Sequence, residues 1–89
     1  KSIKSKINSF KEGNLLLEGE IKENINNVEY RFLRLVIQEN APSILNYNDN
    51  IEEDKKLIIK NYSSLNKNLQ KVISDYSIRS SILSNKELK

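Results

Sequence analysis

The apolar residues of the segment 51–83 constrain the fold of this chain more than any other feature. They follow one another at alternating intervals of four and three residues, through Ile58, Tyr62, Leu65, Leu69, Val72 and Tyr76. This spacing is typical of an α-helix whose apolar edge packs against another helix in a coiled coil. Because such an edge must be covered to be stable, the sequence predicts an all-helical fold with a second helix along this segment.

The first forty residues supply an apolar face of their own. On a helical projection, nine apolar side chains fall within roughly 80° of one another. They are Ile3, Ile7, Phe10, Leu17, Ile21, Ile25, Val28, Phe32 and Leu35. We therefore predict a first helix over about residues 2–40. Residues 1–13 either continue this helix or form a separate turn, because Gly13 costs about 1 kcal/mol relative to alanine.

Residues 15–32 also allow a β-hairpin, with strands at 15–21 and 28–32 around an asparagine-rich turn. Val28, Tyr30 and Phe32 alternate with charged residues, as in a half-buried strand. The alternation ends at Leu33, whereas the helical phase continues to Leu35. The helix is therefore favoured.

Residues 41–49 are predicted to connect the two helices. Pro42 cannot continue helical hydrogen bonding and disfavours a helical conformation at Ala41. The asparagine and aspartate residues that follow favour turns. A second helix is predicted over about 50–85, with Asn50 as its N-cap and Glu53 completing the cap.

Two long helices joined by a short connector pack antiparallel. We therefore predict that residues 1–89 form one domain, an antiparallel two-helix hairpin with coiled-coil packing and a length of about 54 Å. With the turn near residue 45, Phe32 faces Ile58 and Ile21 faces Leu69. The facing apolar residues, here named the seam, are Leu17, Ile21, Ile25, Val28, Phe32, Leu35, Ile58, Tyr62, Leu65, Leu69, Val72 and Tyr76.

A second set of apolar residues lies opposite the seam. This outer strip comprises Tyr30, Leu33 and Ile37 on the first helix and Leu57, Ile78 and Ile82 on the second. An apolar strip at intervals of three and four residues usually marks a contact. We interpret it as a partner-binding surface. The alternative is that the connector, or a second copy of the chain in a four-helix bundle, covers the part on the first helix.

The composition leaves little room for catalysis or metal binding. The chain has 89 residues without cysteine or histidine, which removes the usual thiolate and imidazole ligands. Its acidic clusters, Glu18, Glu20 and Glu23 and also Glu52, Glu53 and Asp54, lack the spacing of a calcium-binding loop. We interpret both clusters as solvated helix faces. With no glycine-rich phosphate-binding motif either, we predict no catalytic, cofactor-binding or metal-binding residues.

The net charge of +3 is modest, and the basic residues near the start are Lys1, Lys4, Lys6 and Lys11. Such a cluster could contact phosphates or an anionic membrane, but an exposed helix face explains it equally well. No apolar run is long enough to span a bilayer. We therefore predict neither direct nucleic-acid binding nor a membrane partner. The start at Lys1 suggests a fragment or a mature product whose signal peptide has been removed.

Over nearly all of its 89 residues, and especially over 10–83 from FKEGNLLLEGE to SDYSIRSSIL, the chain resembles the phyllogens. These are small effectors that phytoplasmas secrete into plant cells and that make floral organs leaf-like. The resemblance lies in the overall sequence, the composition and the two-helix plan, without a diagnostic motif.

The resemblance implies a function. A phyllogen binds the keratin-like coiled-coil domain of plant MADS-domain floral transcription factors and delivers them to the proteasome through a ubiquitin-receptor shuttle protein. The chain is accordingly expected to be a non-enzymatic virulence effector, secreted from the bacterium and acting in the cytoplasm and nucleus of the host plant cell. Homo-oligomers are compatible with this expectation. The alternative function is a coiled-coil structural subunit of a larger helical assembly.

Overall fold

The computed structural model describes residues 3–88, and for residues 3–12 and Asn85 it describes the course of the backbone alone. Every regular element in this part of the chain is helical, so the predicted all-α class is confirmed. The four α-helices are α1 (Ile3–Glu23), α2 (Val28–Asn40), α3 (Ile51–Asn61) and α4 (Lys67–Ser77). Short 3-10 turns lie at Ser43–Leu45, Tyr62–Ser64 and Asn85–Leu88.

The first predicted helix does not continue to residue 40, because an asparagine-rich turn separates α1 from α2. The side-chain oxygen of Asn27 caps α2 by accepting a hydrogen bond from the backbone N–H of Tyr30 at 3.0 Å. The side chain of Asn24 donates to the carbonyl of Glu20 at 3.1 Å. Asparagine side chains compete in this way with helical hydrogen bonds. α1 therefore ends at this turn, although the apolar residues on either side of it keep the spacing of one continuous helix.

The second predicted helix is divided as well. At its break the hydroxyl of Ser64 donates to the carbonyl of Asn61 at 2.8 Å. Asn66 then caps α4 by accepting from the N–H of Leu69 at 2.8 Å. α4 ends at Ser77 instead of near residue 85. The predicted helix over 50–85 is thus wrong, because serine and asparagine side chains satisfy the backbone locally at the break.

The connector between α2 and α3 follows the expected chemistry. Ala41, before Pro42, is extended, with φ −72° and ψ 138°. Asn50 occupies the N-cap position of α3, but its side chain makes no hydrogen bond to the helix backbone. Its amide instead donates to the carboxylate of Glu53 at 2.7 Å and accepts from the side chain of Gln38 at 3.0 Å. The cap residue therefore also joins α3 to α2.

Side-chain contacts give the directions of the first three helices. Gln38 pairs with Asn50, and Arg34 pairs with Asp54. The later residue on α2 therefore meets the earlier residue of the α3 end. These two helices are therefore antiparallel. Glu18 pairs with the same Arg34 across the turn between α1 and α2, which folds the end of α1 back along α2.

α4 runs in the same direction as α2. Tyr62 and Gln70 exchange hydrogen bonds across the turn that follows α3, at 3.1 and 2.7 Å. Ile58 and Ile73, farther from this turn on either side, share the core. α4 is therefore antiparallel to α3, and the helices α2, α3 and α4 follow an up-down-up path.

The core lies where α2, α3 and α4 meet. Its buried apolar residues are Val28, Phe32, Leu35, Ile58, Ile73, Leu83 and Leu88. The last two belong to residues 80–88, which we name the C-terminal strap. Glu87 of the strap also forms an ion pair with Lys55 of α3 at 3.2 Å. The molecule measures 42 × 29 × 21 Å. The predicted rod of about 54 Å is therefore wrong, because both predicted helices are broken and folded back.

Candidate functional site

The structure scatters the predicted outer strip instead of exposing it as one surface. Leu33 and Ile78 are exposed, 48% and 75% of their surface being accessible. Tyr30, Ile37, Leu57 and Ile82 are half-buried, and Leu57 packs against the core. For the part of the strip on the second predicted helix, the reason is the break between α3 and α4, which changes the helical phase after residue 61. Leu57 and Ile78 consequently no longer belong to one helix.

The seam residues divide into three groups. Those that are buried are Ile21, Val28, Phe32, Leu35 and Ile58. Those that are half-buried are Leu17, Tyr62, Leu65, Leu69 and Tyr76. The structure contradicts the seam assignment at Ile25 and Val72, which are 53% and 54% exposed. Ile25 lies in the turn between α1 and α2, where neither helix covers it, and Val72 lines a groove.

An open groove of about 780 Å³ runs between α2 and α4, and we name it the α2–α4 groove. Leu33 and Val36 line its α2 wall and Val72 lines its α4 wall. Phe32 and Tyr76 form part of its floor, their rings meeting edge to face with centroids 5.6 Å apart and planes at 84°. This arrangement is favourable for aromatic pairs and buries part of both rings. The groove is therefore lined by residues of the predicted seam and by one residue of the outer strip, Leu33.

A hydrogen-bond cluster holds the floor of the groove in place. The Tyr76 hydroxyl donates to Glu39 at 2.9 Å and accepts from the Asn40 amide at 2.8 Å. Glu39 also accepts from Ser80 at 2.6 Å and from the backbone N–H of Ser81 at 2.8 Å. One carboxylate thus fixes both Tyr76 and the start of the C-terminal strap.

This cluster shifts the titration of two of its members. Burial opposes the ionisation of Glu39, but the hydrogen bonds from Ser80, Ser81 and Tyr76 outweigh it and lower the pKa of Glu39. Burial, followed by the hydrogen bond to Glu39, raises the pKa of Tyr76. At neutral pH the pair is therefore a charged acceptor and a neutral donor, the combination that gives a strong hydrogen bond.

A buried charge network lies on the other side of α2. Asp54 is completely buried and receives a two-point contact from Arg34, with both N···O distances at 2.8 Å. The Nε of Arg31 donates to the same carboxylate at 2.5 Å. Arg31 also donates to the carbonyl of Ile25 at 2.5 Å and contacts Glu53 at 3.3 Å. Two arginines on α2 thus enclose one aspartate on α3.

The network extends to α1 and to the connector. Arg34 Nη1 donates to Glu18 on α1 at 2.6 Å, and the Tyr47 hydroxyl donates to the other oxygen of that carboxylate. The hydrogen bonds and charges of Asp54 outweigh burial and raise the pKa of Arg34. Burial and Glu18 raise the pKa of Tyr47. The network therefore joins α1, α2, α3 and the connector.

The network corrects the interpretation of both acidic clusters as solvated. Glu20, Glu23, Glu52 and Glu53 are exposed, but Asp54 is buried and Glu18 is half-buried. Sequence reasoning missed this site because a carboxylate in the first turn of a helix is usually solvated. One available signal was that Arg31 and Arg34 lie on one face of α2, beside the seam.

The described residues also bear on metal binding and on membrane spans. Among the side chains that the structure describes, at positions 13–84 and 86–88, no group of three or more aspartate or glutamate residues is arranged to hold a metal ion. None of the helices described is long and apolar enough to cross a membrane. The lysine side chains at positions 1–11 fall outside the described side chains.

Comparisons with protein-family models, curated proteins and solved structures find no match in any of the three.

Proposed function

We propose that this chain is a secreted bacterial effector that acts by binding a helix of a coiled-coil protein in the α2–α4 groove. The observation that carries the proposal is the pair Leu33 and Val72, large apolar side chains about half exposed on facing walls. Single exposed apolar residues are ordinary, but apolar residues lining one groove mark contact sites.

The shape and spacing of the groove favour a helical ligand. Its α2 wall presents Leu33 and Val36, its α4 wall presents Leu69 and Val72, and Phe32 and Tyr76 lie in the floor between them. Leu33 and Val36 are three residues apart, as are Leu69 and Val72, and this is one of the intervals by which helices meet other helices. An amphipathic helix laid along the groove would complete a packing of three helices around the exposed apolar residues. We further propose that α2 and α3 pack as a coiled-coil hairpin that supports this surface.

The resemblance to phyllogens supports a particular partner. We propose the keratin-like domain of plant MADS-domain floral transcription factors, since that domain is itself a coiled coil. Delivery to the proteasome through a ubiquitin-receptor shuttle protein, action in the cytoplasm and nucleus of the host plant cell, and the change in floral development rest on the resemblance alone. The proposed activity is binding without catalysis.

Calorimetric titration of the chain with a purified keratin-like domain tests the proposal. We expect Leu33→Lys and Val72→Lys each to weaken binding at least tenfold, about 1.4 kcal/mol, because each places a charge in an apolar contact. Ile44→Lys is the matched control, since Ile44 is 76% exposed and does not line the groove. Melting temperatures should change little in all three variants, because none of these side chains is in the core.

Two results would count against the proposal. The first is that the parent chain does not bind the domain. The second is that the variants in the groove bind as tightly as the Ile44→Lys control.

For the downstream steps, the level of a co-expressed transcription factor in plant cells should fall with the parent chain. It should recover when the proteasome is inhibited.

The alternative, a structural subunit of a larger helical assembly, is favoured by one observation. Leu15 and Leu16 on α1 are 72% and 76% exposed, although both are large and adjacent. In such an assembly these residues would lie between copies or subunits. Sedimentation of the purified chain over a range of concentrations separates the two functions, because the structural subunit should self-associate and the effector should bind its partner as a monomer.

A further inference from the structure

Three exposed charged side chains border the α2–α4 groove. Glu29 stands on the α2 side, and Asp75 and Arg79 stand on the α4 side. None of them forms an ion pair with another residue that the structure describes, whereas Arg31 and Arg34 on the same α2 are fully engaged. The three charges are therefore available to a ligand in the groove.

The positions of these charges along the groove follow from the contacts between α2 and α4. The two helices run in the same direction, with Phe32 meeting Tyr76 and Glu39 meeting Ser80. Each α4 residue is thus level with the α2 residue about forty positions earlier.

Along the groove the charges therefore follow one another at intervals of roughly one to two helical turns, about 5 to 9 Å. Glu29 comes first, and Asp75 is nearly two turns farther along. Arg79 lies in the turn that follows α4, where its N–H bonds to the carbonyl of Tyr76, and is about one turn beyond Asp75. A ligand helix beside α4 must then place a basic residue opposite Asp75 and an acidic residue one turn away, opposite Arg79.

We infer that the groove holds its ligand helix antiparallel to α4, with an acidic residue one turn before a basic residue on the flank that faces α4. This inference rests on the proposed function and adds the chemistry of the bound segment. A parallel helix would need the basic residue first. The acid-first order at a spacing of four residues stabilises an isolated helix more than the reverse order, so the antiparallel ligand is better formed before it binds.

The α2 flank adds a second requirement. Continuing in the antiparallel direction, the ligand passes Glu29 nearly two turns after it passes Asp75, so a second basic residue belongs on that flank. The ligand class is therefore an amphipathic helix with an aliphatic strip, an acidic residue near the start of the contact and basic residues after it. Its charges complement a groove border of two carboxylates and one guanidinium.

Two synthetic peptide helices test the inference. They share one composition and one aliphatic strip, and differ only in the order of Glu and Lys at a spacing of four residues. We expect the parent chain to bind the acid-first peptide about fivefold more tightly at low salt, as two exposed ion pairs allow. The double variant Asp75→Arg/Arg79→Asp keeps the net charge and should prefer the base-first peptide. Fluorescence anisotropy measures both affinities.

A spin label on the peptide reports its direction. A nitroxide at the N-terminus of the acid-first peptide should broaden the amide NMR signals near Arg79, and one at the C-terminus should broaden those near Glu29. Glu23→Lys is the control, because it reverses an exposed carboxylate on α1 outside the groove. It should leave the preference between the two peptides unchanged.

Several results would overturn the inference. Equal binding of the two peptides, or an N-terminal label close to Glu29, would refute the order or the direction while leaving helix binding by the groove intact. If neither peptide binds but the keratin-like domain still binds in a Leu33-dependent manner, the ligand chemistry is wrong and the proposed function survives. A dimer that Leu33→Lys dissociates would show that a second copy fills the groove, which also refutes the inference.

Discussion

At the scale of single residues, Asp54 is the buried acceptor that Arg31 and Arg34 share. Its carboxylate is completely buried and accepts hydrogen bonds from both Arg31 and Arg34. We expect Asp54→Asn to lower the free energy of unfolding by about 3–5 kcal/mol, because two guanidinium groups lose their buried counter-charge. That is a large part of the 5–15 kcal/mol or so typical of a domain. Urea unfolding followed by circular dichroism measures the change.

Two further variants sharpen this prediction. Glu52→Gln, on the same helical turn but exposed, should change the free energy of unfolding by less than about 0.5 kcal/mol. Replacing Arg31, Arg34 and Asp54 together by Met, Leu and Leu should be less harmful than Asp54→Asn, since apolar replacements remove the desolvation cost of all three charges. A loss of under 1 kcal/mol in Asp54→Asn would contradict the buried charge network.

Glu39 gives the structure a dependence on acid. Its pKa is lowered from the ordinary value of 4.5 in the folded state, so ionised Glu39 stabilises the fold above that value. The stabilisation is lost as the pH falls through the lower, folded pKa. We therefore expect Glu39→Gln to be less stable than the parent at pH 7, by about 1 kcal/mol for a solvent-accessible charged acceptor. The difference should shrink below about pH 4.

Urea titrations of the parent and Glu39→Gln at several pH values test this prediction. Glu20→Gln is the control, because the Glu20 side chain is exposed. Its difference from the parent should stay small at every pH. A Glu39→Gln deficit that is constant from pH 7 to pH 3 would show that the hydrogen bonds at Glu39 do not depend on its charge.

At the scale of elements, the short helices depend on the segments that cover them. α3 and α4 have 11 residues each, and isolated helices of that length are marginal in water. The C-terminal strap supplies part of their cover, because Leu83 is completely buried in the core they form with α2. The strap therefore belongs to the folding unit even though it contains no α-helix.

Leu83→Ala tests the role of the strap. We expect a loss of about 2–5 kcal/mol in the free energy of unfolding, from lost apolar burial and the cavity that remains. Ile78→Ala, 75% exposed just before the strap, should cost less than about 0.5 kcal/mol. Both values come from urea unfolding. If the two variants lose similar amounts, the strap does not pack against the core in solution.

At the scale of the whole molecule, the breaks in the helices decide the shape. The radius of gyration is 13.8 Å, between the value of about 12 Å expected for a compact domain of this length and about 16 Å for a two-helix rod of about 54 Å. We expect small-angle X-ray scattering to give about 14–15 Å for the monomer, hydration included. A value of 16 Å or more at low concentration would favour unbroken helices.

Parts of the fold and the site were predictable from the sequence. The apolar phase of α2 identified Phe32 and Leu35 as buried, and Pro42 marked the end of α2. The same projection put Leu33 outside the core, where it lines the groove. These properties depend on residues close together in the chain, through helical periodicity and the restriction that proline imposes.

The remaining features depend on residues distant in the chain. The spacing of Val72 fits a continuous seam, but the turn at 62–66 rotates α4 and leaves Val72 on a groove wall. From its position in the first turn of α3, Asp54 was predicted to be solvated. In the folded chain Arg31 and Arg34 of α2 contact it, and it is buried. The sequence by itself determined that the chain is helical, where α2 ends and where α3 begins, because helical periodicity and the restriction that Pro42 imposes are local. Only the tertiary structure decided which apolar residues stay exposed and which charges are buried, because burial depends on the neighbours that folding brings together.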